Sequence, residues 1–337
     1  MSVLVTGGAG FIGSHVARHL VDAGQDVVVL DDLSGGYEEN VPAGANLVAG
    51  SVVDPELVEE LFREHEFSHV FHLAAYAAEG LSHFIRRFNY TNNVLGSVNL
   101  LNAALRAETV ERCVFTSSIA VYGAAQTPMT EDTVPEPEDP YGIGKYAVEL
   151  DLRAAQRMFG LDYTIFRPHN VYGEQQNVAD PYRNVIGIFI NQLLSDRPLT
   201  IFGDGLQTRA FTHIDDVAPV IARSIEVPQS ANEVFNVGAD TPHTVLDLAH
   251  TVARAFDVAD PEIDFLPARE EVVHAFSDHA KLHRVFGQEP TVSLEEGLRR
   301  MADWAREIGV REPVRFESVE VLRNLPPSWA AGLTQTT

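Results

Sequence analysis

Tyr141 and Lys145 stand four residues apart, spaced by Gly142-Ile143-Gly144 and preceded by Asp139-Pro140. On a helix that spacing puts both side chains on one face, and Asp-Pro suits a helix start. A tyrosine hydroxyl titrates near ~10 in model peptides. An ammonium about 5 Å away, at an effective dielectric of about 20, favours the phenolate by about 3 kcal/mol. That corresponds to about two pKa units. Burial opposes the shift, and further positive charge adds to it. A tyrosine so tuned can take a hydroxyl proton near neutral pH. Thr116-Ser117-Ser118 adds hydroxyls at the end of the apolar run Cys113-Val114-Phe115. Hydroxyls at the carboxyl edge of a parallel sheet face the crevice where ligands bind.

A second constellation opens the chain. Thr6-Gly7-Gly8-Ala9-Gly10-Phe11-Ile12-Gly13 follows an apolar run and precedes a helical one, with an acid about twenty residues on. Glycines let the backbone turn tightly and approach a pyrophosphate, and the helix start offers free N–H groups. Asp31 ends the second apolar run, where a carboxylate accepts bonds from the ribose hydroxyls of NAD and repels the 2′-phosphate of NADP. Asp32 follows, and residues 31–40 contain no Arg or Lys, so NAD is the expected cofactor.

The elements that must carry these groups are legible as alternating runs. Val3-Val5, Val27-Leu30, Asn46-Val48, Val70-Leu73, Cys113-Phe115 and Tyr163-Phe166 are short and apolar, with helical periodicity between them. Such spacing implies buried parallel strands joined by crossovers, an α/β doubly wound sheet. Residues 84–107 and 140–160 read as two long helices. A helix near 214–226 and a strand at Val234-Val237 read as returns to the first sheet. Ser293-Leu294-Glu295-Glu296 is a capping-box start for a final helix to about residue 309.

Composition limits the function. The chain has 337 residues, 45% hydrophobic and 21% charged, enough for one large or two modest globular domains. Its formal net charge is −24, with 24 Lys+Arg against 48 Asp+Glu, so phosphate-rich partners such as nucleic acids and anionic membranes are disfavoured. Lys145 and Lys281 are the only lysines. That balance fits adaptation to high salt as well as a biased genome composition. Cys113 is the single cysteine, and the first residues show no signal-peptide pattern, so a cytoplasmic protein is expected. His15/His19 and His279/His283 are spaced i,i+4 without a clear third ligand; they read as solvated helix faces, and no metal site is expected.

Taken together, these motifs resemble the extended short-chain dehydrogenase/reductases, in particular the nucleotide-sugar epimerase/dehydratase group, over about residues 1–309. Leu30-Asp31-Asp32-Leu33-Ser34, His72-Leu73-Ala74-Ala75, Asn93-Val94-Leu95-Gly96-Ser97 and Ser117-Ser118-Ile119-Ala120-Val121-Tyr122-Gly123 belong to the pattern. So do Arg167-Pro168-His169-Asn170-Val171-Tyr172-Gly173, Phe202 to Arg209, and His213-Ile214-Asp215-Asp216-Val217. The resemblance implies a Rossmann fold with a smaller C-terminal α/β substrate-binding domain. It also implies a catalytic set of Ser118, Tyr141 and Lys145. NAD would meet Gly7, Gly10, Phe11, Ile12, Gly13, Asp31, Asp32, Ser34, Ser51, Val52, Leu73, Ala74, Ala75, Asn93 and Pro168, besides Tyr141 and Lys145. The substrate side would hold Asn170, Asn184, Phe202, Gln207 and the arginines Arg209 and Arg269. Arginine suits a diphosphate because its fork binds two oxygens.

The implied reaction is inversion of C4 in a nucleotide-diphosphate hexose of the UDP-glucose/UDP-galactose kind, through a 4-keto sugar. The group's dehydratases and decarboxylases carry an acid shortly after the strand-five hydroxyl, where this chain has Ile119 and Ala120. A C2-epimerase, a 4-reductase, a uronate 4-epimerase and a non-catalytic NAD sensor remain rival readings. The expected division is 1–172 for the cofactor domain with 213–239 returning to it, 173–212 and 240–309 for the substrate domain, and 310–337 as an irregular tail. A homodimer through the two long helices is expected by analogy. Three departures stand out: Ser51 where an Asp is usual, Glu79 in an unusual loop facing the sugar, and Glu270 after Arg269 where glycine is usual.

Overall fold

The apolar runs become strands because burial on both faces rewards uninterrupted Val, Ile, Leu and Phe. In β1 (Ser2–Thr6), Val3 and Val5 pack into one hydrophobic core and Leu4 into another, as side chains alternate across the sheet. The computed structural model describes residues 2–268, 272–287, 290–310, 316 and 319–330. The further strands are β2 (Val27–Asp31), β3 (Ala45–Ala49), β4 (Phe67–His72), β5 (Arg112–Thr116), β6 (Asp162–Pro168) and a seventh, Glu233–Val237. All pair in parallel, in the order Glu233–Val237, β6, β5, β4, β1, β2, β3. The sheet is doubly wound: its order reverses between β1 and β4, the switch point at which such sheets bind ligands. Thr6 pairs with His72 in register, so both end at the same edge.

Helices α1 (Phe11–Asp22) and α2 (Pro55–Glu64) follow β1 and β3. Asp54 caps α2 by accepting from Leu57 N at 3.1 Å, with Pro55 in the first turn. The expected helix over 84–107 is interrupted. Short helices α3 (Glu79–Ser82) and α4 (Arg86–Tyr90) lead into a π-helical turn, Thr91–Leu95, before α5 (Gly96–Ala107). Asn side chains account for part of this, since Asn92 donates to Phe88 O and Asn93 is drawn away towards Tyr76. By contrast α6, Pro140–Phe159, runs unbroken for 20 residues. The expected helix over 214–226 is shorter, Ala218–Arg223, with 3-10 turns on either side.

After β6 the chain leaves the sheet and builds another core from α7 (Val185–Leu194) and the helices Val245–Ala255 and Leu294–Ile308. Ser293 caps the last of these through Glu296 N. Beneath the sheet edge, Arg167 of β6 grips Glu149 of α6 through Nε at 2.9 Å and Nη2 at 2.5 Å. The two residues are 1% and 0% exposed, and Arg167 also donates to the Tyr122 hydroxyl, which donates to Asn236. This buried network locks α6 onto β6 and onto the returning strand.

Candidate functional site

Asp139 starts α6. Its Oδ1 accepts from Tyr141 N at 2.9 Å and Gly142 N at 3.0 Å, and from Ser82 Oγ at 3.2 Å. Tyr141 is thereby held at the first turn, 8% exposed, on the same cleft wall as Ser118. Ser118 lies just beyond β5 and caps the 3-10 turn Ile119–Tyr122 by accepting from Ala120 N. Gly142 fits because a Cβ there would sit 2.6 Å from Ala120 O, so α6 approaches this turn backbone to backbone. Lys145 is 2% exposed, and its Nζ donates to Thr116 O at 2.8 Å.

The electrostatic balance differs from the expectation. Burial pushes the Tyr141 phenol above its ordinary range, with Glu79 and Asp139 adding to the rise against the opposing influence of the Ser118 hydroxyl. Burial also takes Lys145 down, to about 7. The reason is geometric: Nζ points at a backbone carbonyl and lies 5.8 Å from the centre of the Tyr141 ring. Desolvation therefore outweighs the ammonium, and additional positive charge is needed to poise the base.

The glycine turn forms a cradle. Gly7 is left-handed at φ +73°, and a Cβ on it would lie 2.7 Å from Ala74 N. A Cβ on Gly13 would lie 2.0 Å from Gly7 O. Helix α1 has Gly10 at its cap position, so it has no side-chain cap, and no acidic residue stands in its first turn; its first N–H groups remain for an anion. The Asp31 carboxylate accepts from Ala9 N at 2.9 Å and Leu33 N at 2.8 Å while lining the same cleft. These residues fit a dinucleotide: a tight turn, an uncapped helix start for the diphosphate and a carboxylate for a ribose.

One cleft of about 1580 Å³ is lined by Gly7, Gly10, Phe11, Ile12, Gly13, Asp31, Asp32, Ser34, Ser51, Val52, Leu73, Ala74, Ala75 and Pro168. Ser118, Tyr141 and Lys145 line it too, with Glu79, Asn170, Asn184, Phe202, Gln207 and Arg209. Asn93 is the exception. It is buried in the π-helical turn, accepts from Tyr76 N, and donates to Tyr76 O and Asn89 Oδ1. Its amide is spent on the loop after β4, so it shapes the wall without reaching a ligand. Arg269, with Glu270, lies outside the described residues.

Several substrate-side groups also support the wall. Asn170 donates to Ala210 O, and Asn184 caps α7 through Ile186 N. Arg209 donates to the carbonyls of Thr208, Val272 and Val273. The 310–337 segment, expected to be irregular, brings Val321, Arg323, Asn324, Pro326, Pro327 and Trp329 to the cleft. Glu320 anchors it by accepting from Arg87 N and Phe88 N. Tyr76 and Arg183, not among the residues expected from sequence, line the cleft as well, and the buried Oγ of Ser117 there has no hydrogen-bond partner among the described residues.

The histidine pairs need a correction. His279 is fully buried, with Nδ1 2.6 Å from Asp240 Oδ1 and Nε2 3.2 Å from Ser277 Oγ. Ser277 Oγ also lies 2.9 Å from His169 Nδ1, and His15 Nε2 lies 3.0 Å from Glu174 O. Among the described residues no group of three or more His, Cys, Asp or Glu is placed to hold a metal ion. None of the described helices is long and apolar enough to cross a membrane.

The family model of the NAD dependent epimerase/dehydratase family matches residues 3–238. A UDP-glucose 4-epimerase of Mycolicibacterium smegmatis is 36% identical over 316 residues, 91% of this chain and 99% of that protein. A UDP-N-acetyl-α-D-glucosaminuronate decarboxylase of Bacillus cytotoxicus is 30% identical over 321 residues, 90% of this chain and 98% of that protein. The crystal structure of a UDP-glucose 4-epimerase with UDP-glucose from Thermotoga maritima superposes with a TM-score of 0.87 at 36% identity. That match covers 91% of this chain and 99% of the other.

Proposed function

Because this chain belongs to the NAD-dependent epimerase/dehydratase family, we propose that it inverts C4 of a nucleotide-diphosphate hexose of the UDP-glucose/UDP-galactose type. The observation that carries this reading is that Tyr141, Ser118 and Lys145 line one cleft with the cofactor cradle, the Lys145 Nζ 5.8 Å from the centre of the Tyr141 ring.

Tyr141 takes the proton of the sugar 4-hydroxyl and returns it at the end of the cycle. Ser118 hydrogen-bonds the same oxygen as charge develops on it. Lys145 holds the nicotinamide ribose. NAD held by the glycine cradle, Asp31 and Lys145 would supply the hydride chemistry at C4 and the positive charge that the phenol lacks in the protein alone. Between the two transfers the 4-keto sugar turns over in the cleft. Ile119 and Ala120 line the wall beside Ser118 and offer no acid for dehydration or decarboxylation. Glu79 lies close enough to raise the Tyr141 pKa, and a carboxylate there repels a uronic acid, which favours a neutral hexose. Asn170, Asn184 and Arg209 lie beside the diphosphate of the nucleotide sugar, and Gln207 and Phe202 pack its base or sugar. We assign the cofactor unit to 1–172 with 213–239, and the substrate unit to 173–212 and 240–309. The working state is a cytoplasmic homodimer joined through α5 and α6, whose outer face carries Ile143, Ala147, Leu150 and Ala154 exposed at helical spacing.

The test is incubation of the purified protein with UDP-, GDP-, CDP- and dTDP-linked hexoses and resolution of the products. Interconversion of UDP-glucose and UDP-galactose is the expected result. Absence of exchange between every 4-epimeric pair rejects the reading.

A further inference from the structure

Arg183 is the one cleft-lining cation that reaches both loops flanking the start of α1, among the described residues. It follows Asp180-Pro181-Tyr182 and precedes Asn184, the cap of α7, so it belongs to the wall opposite the sheet edge. Asp180 organises this turn: its Oδ1 accepts from Tyr182 N at 2.9 Å, and its Oδ2 lies 2.9 Å from Arg183 Nε. The guanidinium carbon sits 4.8 Å from the centre of the Tyr76 ring. On its other side is Gly35, where a Cβ would lie 3.1 Å from Nη2 and 3.5 Å from Nη1.

Those two contacts define a span. Gly35 belongs to the loop after β2, and its neighbour Gly36 packs on Ala9 and Gly10 of the glycine turn. Tyr76 belongs to the loop after β4 and is held there by Asn93. A dinucleotide with its adenosine at Asp31 and Ser51 and its nicotinamide at Tyr141 and Lys145 must carry its diphosphate between these loops. The start of α1 would meet it from one side. Arg183 stands on the other side, with its side chain 25% exposed. Asp180 engages only Nε, and neither Nη makes a hydrogen bond among the described residues. A paired donor edge on a planar cation is suited to phosphate oxygens.

We infer that Arg183 clasps the diphosphate of bound NAD, closing the cofactor cradle from the substrate-side wall. The inference rests on NAD occupying the cradle and is independent of which sugar is converted. It makes NAD retention depend on a residue that the cofactor motifs do not contain. It also couples the loop that leads into α7 to the presence of the cofactor.

The experiment measures dissociation constants of NAD, ADP-ribose, adenosine and UDP for the wild-type protein, Arg183→Ala and Arg183→Lys. Thermal unfolding in parallel confirms that each variant is folded. Arg183→Ala is expected to weaken NAD and ADP-ribose by about ten- to a hundredfold, as loss of a charge-assisted pair should. Adenosine, which lacks phosphate, should be unaffected, and Arg183→Lys should recover part of the loss. NAD affinity within threefold of wild type in Arg183→Ala overturns the proposal. So does an equal loss for adenosine, which would indicate damage to the cradle. A loss for UDP with NAD unchanged also overturns it, because the arginine would then serve the sugar nucleotide. If Arg183→Ala does not fold, the comparison of Arg183→Lys with Arg183→Gln decides between the same outcomes. Failure of wild type itself to bind NAD would instead reject the cofactor assignment.

Discussion

Asp139 accepts from the backbone N–H of Tyr141 at 2.9 Å, so the residue that caps α6 also sets the position of the phenol. The same oxygen takes bonds from Gly142 N and Ser82 Oγ, tying the start of α6 to α3. Asp139→Ala removes all three bonds. A lost cap costs about 1–2 kcal/mol, so thermal unfolding should shift down by a few degrees. Turnover should fall further than substrate affinity, because the base loses its placement. Unchanged kcat in a folded variant would count against this role.

Tyr141→Phe keeps the ring and removes the oxygen. A positioned acid–base group contributes about 10²–10⁴-fold, so kcat should drop by at least about two orders of magnitude. NAD should remain bound after gel filtration, since the cradle is built from other residues. Turnover equal to wild type would show that another group moves the proton.

His72 and His169 predict acid sensitivity. Burial lowers His72 to about 3, with Lys145 adding to the effect. Burial likewise lowers His169 to about 3. Between the ordinary histidine value and 3, the unfolded chain holds these protons and the folded protein does not. Stability is therefore present above about pH 6.5 and is lost as pH falls, by about 1.4 kcal/mol per pH unit for each histidine. Denaturant midpoints measured from pH 7 to pH 4 should decline with that sign. His72→Gln, which keeps groups able to meet Thr6 and Ser97, should flatten the curve.

The Arg167–Glu149 pair is enclosed, so removing one partner strands a buried charge. Glu149→Leu should destabilise by about 3–5 kcal/mol. Arg167→Met combined with Glu149→Leu should recover much of that loss. A single variant as stable as wild type would place water or another counter-charge beside the remaining group.

Ile143 and Leu150 stand on the exposed face of α6 one heptad apart. Replacing both with Glu should convert a dimer into a monomer in sedimentation. A wild-type monomer at micromolar concentration would remove the assembly from the proposed function.

The sheet could be read from the chain because parallel strands buried on both faces leave apolar runs, as at Val27–Asp31 and Glu233–Val237. The Tyr141–Lys145 spacing and the glycine turn were equally visible, since their chemistry is local. Arg183, Tyr76 and Trp329 were not, because each meets partners distant in sequence. The direction of the Tyr141 shift was also hidden. It depends on how deeply the phenol is buried and where Lys145 points, and neither is encoded in a four-residue spacing. Asn93 misled for a related reason: a short amide near the cofactor loop can serve the backbone as well as a ligand.

The seventh strand has a consequence for synthesis on the ribosome. Residues 233–237 complete the sheet beside β6 only after the substrate-side segment has been made. Until they emerge, β6 presents an unpaired row of backbone donors and acceptors, a template for association between nascent chains. Asn236, which accepts from Tyr122, reaches the Arg167–Glu149 network at the same moment. Translation must therefore run well past Ser118, Tyr141 and Lys145 before the floor beneath them can set.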